Sequence, residues 1–500
     1  MDPGQGHGVK RLVVVGGGIA GLAAAWRAKT GGAAGSAVEV TLIEQDTRLG
    51  GKILTEERNG CILDAGADGF LSRKPAGIQL CRELAVLDLL RGQLQRARRS
   101  FVSKDGVLHP LPEGFSGLVP ADPRALEDTT LLTQGGRERA LREPDIPADP
   151  ATRDESIAQF MTRRFGREAF QVLMEPLLSG IFAGDAERIS LQATFPHLRE
   201  LELRHGSIMR GLQEAAREKA AQEEAAREEA AREEAAREQE AAATPRSPFV
   251  TFGRGMGELI TVLSVRLAEA GVRVLAGDTC VGIHASGGGY VLETVGGGTF
   301  QADAVVVAVP PASAAALLRR LDSDLGGLLA GISSASTAVI HAAFRRGDIQ
   351  HDLDGYGYVV PRTEGSDALA CTWSSSKWPG RAPPEIALLR LYAGRHGGQE
   401  VLERTDAELV FLARKELARV MGIEAEPLFS RVFRWPSALP QYAMDHLQRI
   451  SAVESFRKNH QGLFLAGAAY RGVGIPDCID SGFQAAQAAL RSLAHEVSAR

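Results

Sequence analysis

Glycines near the N-terminus have the spacing of a phosphate-binding turn. Gly16, Gly18 and Gly21 follow an apolar run at residues 11–15 and precede an alanine-rich stretch. In a strand–turn–helix unit, Gly16 allows the tight turn, Gly18 lets a pyrophosphate approach the main chain, and Gly21 permits close packing of helix on strand. The helix would direct its free N–H groups at the phosphates. The spacing predicts a dinucleotide site rather than a glycine turn of purely structural importance.

A second apolar run supplies the next part of this predicted site. Residues 38–43 read as a strand and end in Glu44, whose carboxylate would accept a ribose hydroxyl. Glycine doublets such as Gly50–Gly51 let the main chain pack against a large flat ligand. Arg48 and Lys52 would face phosphate charge, and the alternative for Arg48 is a solvated surface charge. The cofactor contacts predicted in this region are Gly16, Gly17, Gly18, Ile19, Ala20, Gly21, Glu44, Gln45, Arg48, Gly51 and Lys52.

The C-terminal region carries a further glycine-rich signal. The run at residues 462–467 ends in Gly467 and leads to a second run at 472–477. A nucleotide site assembled from both ends of the chain indicates a buried flavin, and the cofactor is predicted to be FAD. We find no second strand–G-x-G-x-x-G–helix unit for a nicotinamide, which favours an oxidase whose reduced flavin reacts with oxygen or a quinone.

Composition agrees with a large enzyme. The 500 residues are 44% hydrophobic, and their net charge of −5 offers no general attraction to nucleic acid. The five cysteines are odd in number and form no C-x-x-C, which favours reduced thiols in the cytoplasm over disulfides or a metal site. We expect no signal peptide and no spanning helix; peripheral contact with the inner face of the membrane stays open.

The pattern along the chain predicts an α/β fold in which domains are interleaved. A Rossmann-like FAD-binding domain would comprise residues 1–90, 249–315 and 455–500. A helical domain facing substrate or membrane would occupy 91–248, with a capping box from Thr152 to Glu155 ahead of one helix. An α+β substrate-binding domain would occupy 316–454.

One segment is of low complexity. Residues 213–243 repeat Glu-Glu-Ala-Ala-Arg with a period of five, which places Glu and Arg four residues apart in the favourable order. A five-residue period builds no apolar stripe, so the pattern predicts a solvated helical spacer. The alternative is a partner-binding coiled coil, for which the heptad pattern is missing.

Longer motifs carry a resemblance to a known family. They lie at residues 16–26, 48–53, 64–70, 107–112, 175–185, 195–196, 434–442 and 472–482. On these runs the chain resembles the protoporphyrinogen/coproporphyrinogen oxidase family of the amine-oxidase-like FAD superfamily, and within it the bacterial coproporphyrinogen III oxidases. The resemblance spans nearly the whole chain outside the repeat, and the last two runs are its most specific part.

The resemblance implies an activity in haem biosynthesis. An FAD enzyme of this kind oxidises a porphyrinogen to a porphyrin, removing six electrons in three flavin cycles, with oxygen reduced to hydrogen peroxide. It also implies further site residues: the main chain of Val281 at the adenine, and Gly66, Ala67, Asp68, Gly69, Trp435, Val473, Gly474 and Ile475 near the flavin. Gly474 would allow the backbone to approach the ring closely. We assign no catalytic acid or base, because His109 and His446 are more simply structural, and Asp477 is expected to cap the last helix.

One departure from the family bears on the substrate. Animal and plant relatives carry an Arg at the position of Ser100. In having no Arg at this position, the chain resembles the bacterial enzymes that oxidise coproporphyrinogen. The basic residues Arg91, Arg96, Arg98, Arg99 and Lys104 would then face either substrate propionates or a solvated or membrane-facing surface. We therefore favour coproporphyrinogen III, with four propionates, over protoporphyrinogen IX, with two.

Two other functions fit parts of the pattern. An amine oxidase would share the N-terminal half, and a flavin-free carrier would share the fold. The intact glycine signals at both ends oppose the carrier. The expected partners are the porphyrinogen and molecular oxygen, with no nucleic acid, and a homodimer stays open.

Overall fold

The structure is a computed structural model that describes residues 9–31, 38–94, 99–150, 153–218 and 247–498. A five-stranded parallel sheet, here called the nucleotide sheet, forms its first layer. Its strand order is Arg273–Ala276, Val38–Glu44, Lys10–Val15, Ala304–Val307 and Leu463–Leu465. Three distant parts of the chain therefore meet in one sheet, as the interleaved α/β prediction required.

Both faces of the nucleotide sheet are covered. Leu12 and Val14 face one hydrophobic core, whereas Val13 and Val15 face another, because successive side chains of a strand alternate. The first core contains the helices Ile19–Thr30, Pro75–Glu83, Gly257–Glu269 and Ile475–Ser498. The second contains the helices Pro311–Leu318, Ser323–Ala330 and His446–Arg457 and the antiparallel strands Cys280–Ser286, Gly289–Thr294 and Thr299–Ala302. We call Ile19–Thr30 the first helix and Ile475–Ser498 the closing helix.

A seven-stranded sheet, here called the large sheet, forms the second body of the fold. Its order is Phe429–Pro440, Ser334–Arg345, Ile386–Ala393, Ala368–Trp373, Gly357–Val359, Phe101–Lys104 and Val107–Pro110. Its neighbours are antiparallel except for the parallel pair of Gly357–Val359 with Phe101–Lys104. The helix Asp406–Met421 packs its apolar residues on this sheet.

Residues 91–248 include strands as well as helices. Two of their strands extend the large sheet, while the core of this region comes from short helices. These helices are Arg124–Glu127, Gln134–Leu141, Ile157–Phe165, Arg167–Ala169, the π-helical Phe170–Met174, Glu175–Phe182, Leu191–Thr194 and Pro196–His205. The exact domain boundaries stay a prediction.

The remaining elements are short. Antiparallel pairs join Thr55–Arg58 with Cys61–Asp64 and Phe115–Ser116 with Val119–Pro120, and Phe249–Phe252 pairs with both Phe70–Leu71 and Leu90–Gly92. One-turn helices occur at Leu87–Leu89, Glu143–Asp145, Arg346–Asp348, Arg362–Glu364, Ser374–Lys377 and Gln399–Glu403. Among the helices that the structure describes, none has the length and apolar character needed to cross a bilayer.

The helix after residue 155 starts differently from the prediction. Its capping box consists of Ser156 and Gln159, whose side chains exchange 3.1 Å hydrogen bonds with each other's backbone N–H groups. Thr152 lies outside the described residues, and Glu155 pairs with Arg163 at 2.7 Å instead. The predicted capping box was therefore wrong. A second pattern with the same spacing follows it directly in the sequence, and the helix uses that one.

Candidate functional site

The turn at the end of the first strand has the form that the glycine spacing predicted. Gly16 has a φ of +108°, and its N–H donates to the carbonyl of Ile43 at 2.8 Å. A Cβ on Gly21 would lie 1.9 Å from the carbonyl oxygen of Gly16, so the first helix packs on the turn without room for a side chain. Both positions therefore require glycine for reasons internal to the protein.

Gly18 differs, because a Cβ there would meet nothing within 4 Å. Gly18 is also the N-cap of the first helix, and no side-chain cap is found for that helix in the described part of the chain. Among the described residues, no side-chain acceptor bonds the N–H groups of the first turn, which includes Ile19 and Ala20, and these groups adjoin the open space at Gly18. A helix N-terminus of this kind binds phosphate, so these residues fit a pyrophosphate-bearing cofactor.

Glu44 lies beside this turn at the end of its strand. Its side chain is buried, and its carboxylate accepts the N–H groups of Gly17 at 2.5 Å and Asp46 at 2.8 Å. A carboxylate has about four acceptor positions, so a ribose hydroxyl can still be bound. Gln45, which follows, is exposed.

Val281 is positioned near the same strand end. The N–H of Asp278 donates to the carbonyl of Glu44 at 3.0 Å, which starts the strand Cys280–Ser286 next to Glu44. Val281 itself falls in a register shift between Cys280 and Gly282, and its side chain is 48% exposed. A bulge leaves the main chain of the extra residue outside the ladder, as a backbone contact to a ligand requires.

The predicted glycine doublet packs directly on the phosphate turn. The N–H of Gly50 donates to the carbonyl of Gly17 at 2.8 Å, and a Cβ on Gly51 would lie 3.2 Å from the Cα of Gly18. Arg48 donates to the carbonyl of Gly51 at 2.6 Å. Its guanidinium therefore holds this loop, and a phosphate contact of Arg48 stays a prediction.

Lys52 links this loop to the large sheet. Its ammonium donates to the carbonyl of Ala438, and burial lowers its pKa. A Cβ on Gly66 would lie 2.2 Å from the carbonyl oxygen of Lys52, so the segment 66–69 crosses the loop at close range. These contacts bring the first two predicted segments together.

The segment 66–69 is anchored from behind by charged and aromatic side chains. Trp435 donates its indole N–H to the carbonyl of Ala65 at 2.7 Å. Asp68 accepts hydrogen bonds from the ammonium of Lys377 at 3.0 Å and the indole of Trp378 at 2.9 Å. Ala67 is exposed, and a Cβ on Gly69 would lie 2.7 Å from the carbonyl of Val250.

The C-terminal glycine run completes the arrangement. The N–H of Gly467 donates to the hydroxyl of Ser481 at 3.0 Å. A Cβ on Gly482 would lie 2.2 Å from the carbonyl of Ala20, so the closing helix crosses the first helix closely. Both helices start at the carboxyl edge of the nucleotide sheet, where ligands of open α/β sheets bind.

The turn before the closing helix has a cap. Asp477 accepts the N–H of Gly474 at 3.1 Å and pairs with Lys74 at 2.7 Å, so its predicted capping role is confirmed. A Cβ on Gly474 would lie 2.9 Å from this carboxylate. Val473 packs against the helical core, and Ile475 begins the helix. The close approach of this turn to a flavin ring stays a prediction.

The two histidines weighed as bases have structural partners. His446 is buried, stacks on Tyr442 with ring centroids 4.1 Å apart, and has its pKa lowered by burial. The ring of His109 lies 2.9 Å from the hydroxyl of Thr130. Sequence reasoning missed a third, His341, which contacts the carbonyl of Asp64 at 3.0 Å and whose pKa burial lowers to about 3.

The basic residues proposed to grip propionates have other contacts. Arg99 is 67% exposed and lies 3.5 Å from Asp354. Lys104 donates to the carbonyl of Leu131 at 2.8 Å, and Arg91 to the carbonyl of Asp88 at 2.7 Å. Arg96 and Arg98 lie outside the described residues, as does the part of the repeat at 219–243. For Arg91, Arg99 and Lys104, which the structure describes, these contacts favour a surface role over contact with substrate propionates.

Comparisons with known proteins agree on one family. The family model of the flavin containing amine oxidoreductases matches residues 19–490. The chain is 34% identical to the coproporphyrinogen III oxidase of Bacillus subtilis, over 97% of this chain and 99% of that protein. It is 30% identical to protoporphyrinogen oxidase 1, chloroplastic, of Arabidopsis thaliana, over 95% and 87%. The crystal structure of a putative protoporphyrinogen oxidase from Exiguobacterium sp. 255-15 superposes with a TM-score of 0.82 at 29% identity, covering 97% of this chain and all of that one.

Proposed function

We propose that this protein oxidises a porphyrinogen to a porphyrin in haem biosynthesis, because the chain belongs to the flavin-containing amine oxidoreductases and, among them, to the porphyrinogen oxidases. The cofactor of this family is FAD. The observation that carries the proposal is the meeting of three distant glycine-rich segments at one edge of the nucleotide sheet, where an uncapped helix N-terminus adjoins an open cradle at Gly18.

The placement of FAD follows from these contacts as a proposal. Gly16 to Gly21 and the first turn of the first helix would hold the pyrophosphate, with Glu44 on the ribose and the main chain of Val281 at the adenine. The segment 66–69, Trp435 and the turn at 473–475 would surround the ring. When bound, FAD supplies the electron acceptor, which takes two electrons in each of three cycles.

The protein's own contribution is binding and orientation. Trp435 fixes the carbonyl of Ala65, and Lys52 bridges the glycine loop to the large sheet, so the walls around the ring are held from several sides. Such fixed walls position one carbon of a flexible tetrapyrrole against the cofactor. No proton acceptor among the described residues is assigned to the reaction.

Coproporphyrinogen III is the substrate that we favour. The relative from Bacillus subtilis is a coproporphyrinogen III oxidase and is more similar to this chain than the Arabidopsis protoporphyrinogen oxidase is. Ser100, half-buried ahead of the strand Phe101–Lys104, has no guanidinium, the group that the family resemblance leads us to expect there in animal and plant relatives. Molecular oxygen is proposed as the acceptor of the flavin's electrons, with hydrogen peroxide as product. Membrane contact and a homodimer stay predictions.

Porphyrin fluorescence tests the proposal directly. The purified protein with FAD and oxygen is given coproporphyrinogen III or protoporphyrinogen IX under matched conditions. A primary amine is the third substrate, and its turnover is followed by hydrogen peroxide release because it forms no porphyrin. Faster formation of coproporphyrin III is the expected result. Faster turnover of protoporphyrinogen would overturn the substrate preference, and turnover of the amine alone would overturn porphyrinogen oxidation.

A further inference from the structure

Arg390 is a buried cation directly behind the segment 66–69. It lies in the strand Ile386–Ala393 of the large sheet, and its side chain is only 3% exposed. One nitrogen, Nη2, donates to the carbonyl oxygen of Gly66. Nε and Nη1 are buried and make no hydrogen bond to any residue that the structure describes, although Nη1 lies 3.5 Å from a carboxylate oxygen of Asp68. The guanidinium also lies over the ring of Tyr392, 4.7 Å from its centroid, but this contact supplies no hydrogen-bond acceptor to Nε and Nη1. Two buried nitrogens without an acceptor are costly, and such groups in native proteins call for an explanation.

The charges around Arg390 do not cancel. Asp68 contacts both Lys377 and Arg390, while Asp64 pairs with Arg381 at 2.8 Å. Among the described side chains of this cluster, three buried or half-buried cations thus face two carboxylates, which leaves one positive charge in excess. His341 adds none near neutral pH, because burial lowers its pKa to about 3.

The ionisation of the two carboxylates does not remove this excess. Burial opposes the charge on Asp68, but Lys377 and Arg390 outweigh it and hold the pKa below its ordinary value. Burial raises the pKa of Asp64 in spite of Arg381, and any protonation of Asp64 would increase the positive excess. A buried positive charge is stabilised when an anion lies on the other side of the Gly66 peptide.

We propose that Arg390 is a positioning residue that stabilises the two-electron-reduced, anionic flavin, by holding the Gly66 carbonyl and by supplying the uncompensated positive charge behind it. This inference rests on the proposed function, which places the ring against the segment 66–69. Oxidised flavin that takes up two electrons and one proton becomes reduced flavin with a hydrogen on N5 and a negative charge at N1. Arg390 favours that product over the neutral oxidised ring.

The midpoint potential of the bound flavin tests this inference without any substrate turnover. FAD-loaded wild type, Arg390→Gln and Arg390→Lys are reduced anaerobically with dithionite against a reference dye. Loss of the charge in Arg390→Gln is expected to shift the equilibrium about tenfold towards oxidised flavin, a potential about 30 mV lower for a two-electron couple. Arg390→Lys retains the charge and is expected to stay within about twofold of wild type.

A matched control separates this role from a general loss of charge. Arg431 lies in another strand of the large sheet, is 38% exposed and pairs with Glu56 at 2.8 Å. Arg431→Gln is expected to leave the potential unchanged, since solvent screens an exposed charge. An unchanged potential in Arg390→Gln, or an equal shift in Arg431→Gln, would overturn the inference.

A second variant covers the case in which Arg390→Gln does not retain FAD. Lys377→Gln removes a charge from the same cluster but leaves the hydrogen bond to Gly66 in place, since Lys377 contacts Asp68. A lower potential in this variant would support the electrostatic role, and a wild-type potential would overturn it. Wild-type protein that binds no FAD at all would instead refute the proposed function.

Discussion

The substitution Gly18→Ala separates binding of the cofactor from stability of the fold. Gly18 has φ −70° and ψ 172°, a conformation that alanine adopts freely, and its added methyl group would meet no protein atom within 4 Å. The free energy of unfolding of the FAD-free protein should therefore stay within about 0.5 kcal/mol of wild type. The same methyl group would stand where we place the pyrophosphate, so FAD should bind at least about tenfold more weakly.

The expected magnitude can be worked out for a defined FAD concentration. At 100 times the wild-type Kd, FAD stabilises the folded protein by about 2.7 kcal/mol. A tenfold increase in Kd reduces this stabilisation to about 1.4 kcal/mol at the same concentration. Urea unfolding with and without FAD measures both quantities, and flavin fluorescence titration gives the Kd independently.

Gly21→Ala is the matched control. Its Cβ would lie 1.9 Å from the carbonyl of Gly16, so this variant should lose about 1–3 kcal/mol or more even without FAD. Wild-type FAD affinity in Gly18→Ala would refute the placement of the pyrophosphate. A large loss of stability of its FAD-free form would refute the view that the cradle at Gly18 is open.

Three further predictions concern other parts of the chain. Gly474→Val should lower FAD content in the purified protein, because its side chain would meet the Asp477 carboxylate and the proposed ring; wild-type content and turnover would contradict this. Replacing residues 213–243 by a short Gly/Ser bridge should leave FAD content and turnover unchanged, and loss of FAD would show that the segment packs on the core. Arg164→Met should cost about 3–5 kcal/mol in urea unfolding, because the fully buried Glu143 loses its partner; a cost below about 1 kcal/mol would show that Glu143 is satisfied by its other contacts.

The parts of the fold with local signals were predictable from the sequence. The strand, glycine turn and helix at residues 10–30 depend on neighbours in the chain, as does Glu44 at the end of the next strand. The α/β class and the interleaved arrangement followed from these signals and are confirmed. The helix start after residue 155 was misplaced because two capping-box patterns are adjacent in the sequence, and only packing decides between them.

Apart from the glycine-rich runs, most contacts between distant residues left no signal in the single sequence. The pairing of Phe101 with Tyr358 brings a strand from the largely helical region into the large sheet. Arg390 and His341 occupy ordinary positions in apolar strands, and only the folded chain places them next to Gly66 and Asp64. Long-range pairing of this kind depends on tertiary packing, which periodicity does not encode.

Anaerobic mixing of the FAD-loaded protein with coproporphyrinogen III tests the central claim most directly. The account predicts that the visible absorbance of the flavin is lost on mixing and returns when oxygen is admitted, with three flavin reductions for each coproporphyrin III formed. The account would be contradicted if neither coproporphyrinogen III nor protoporphyrinogen IX removed the visible absorbance of the oxidised flavin while an amine did.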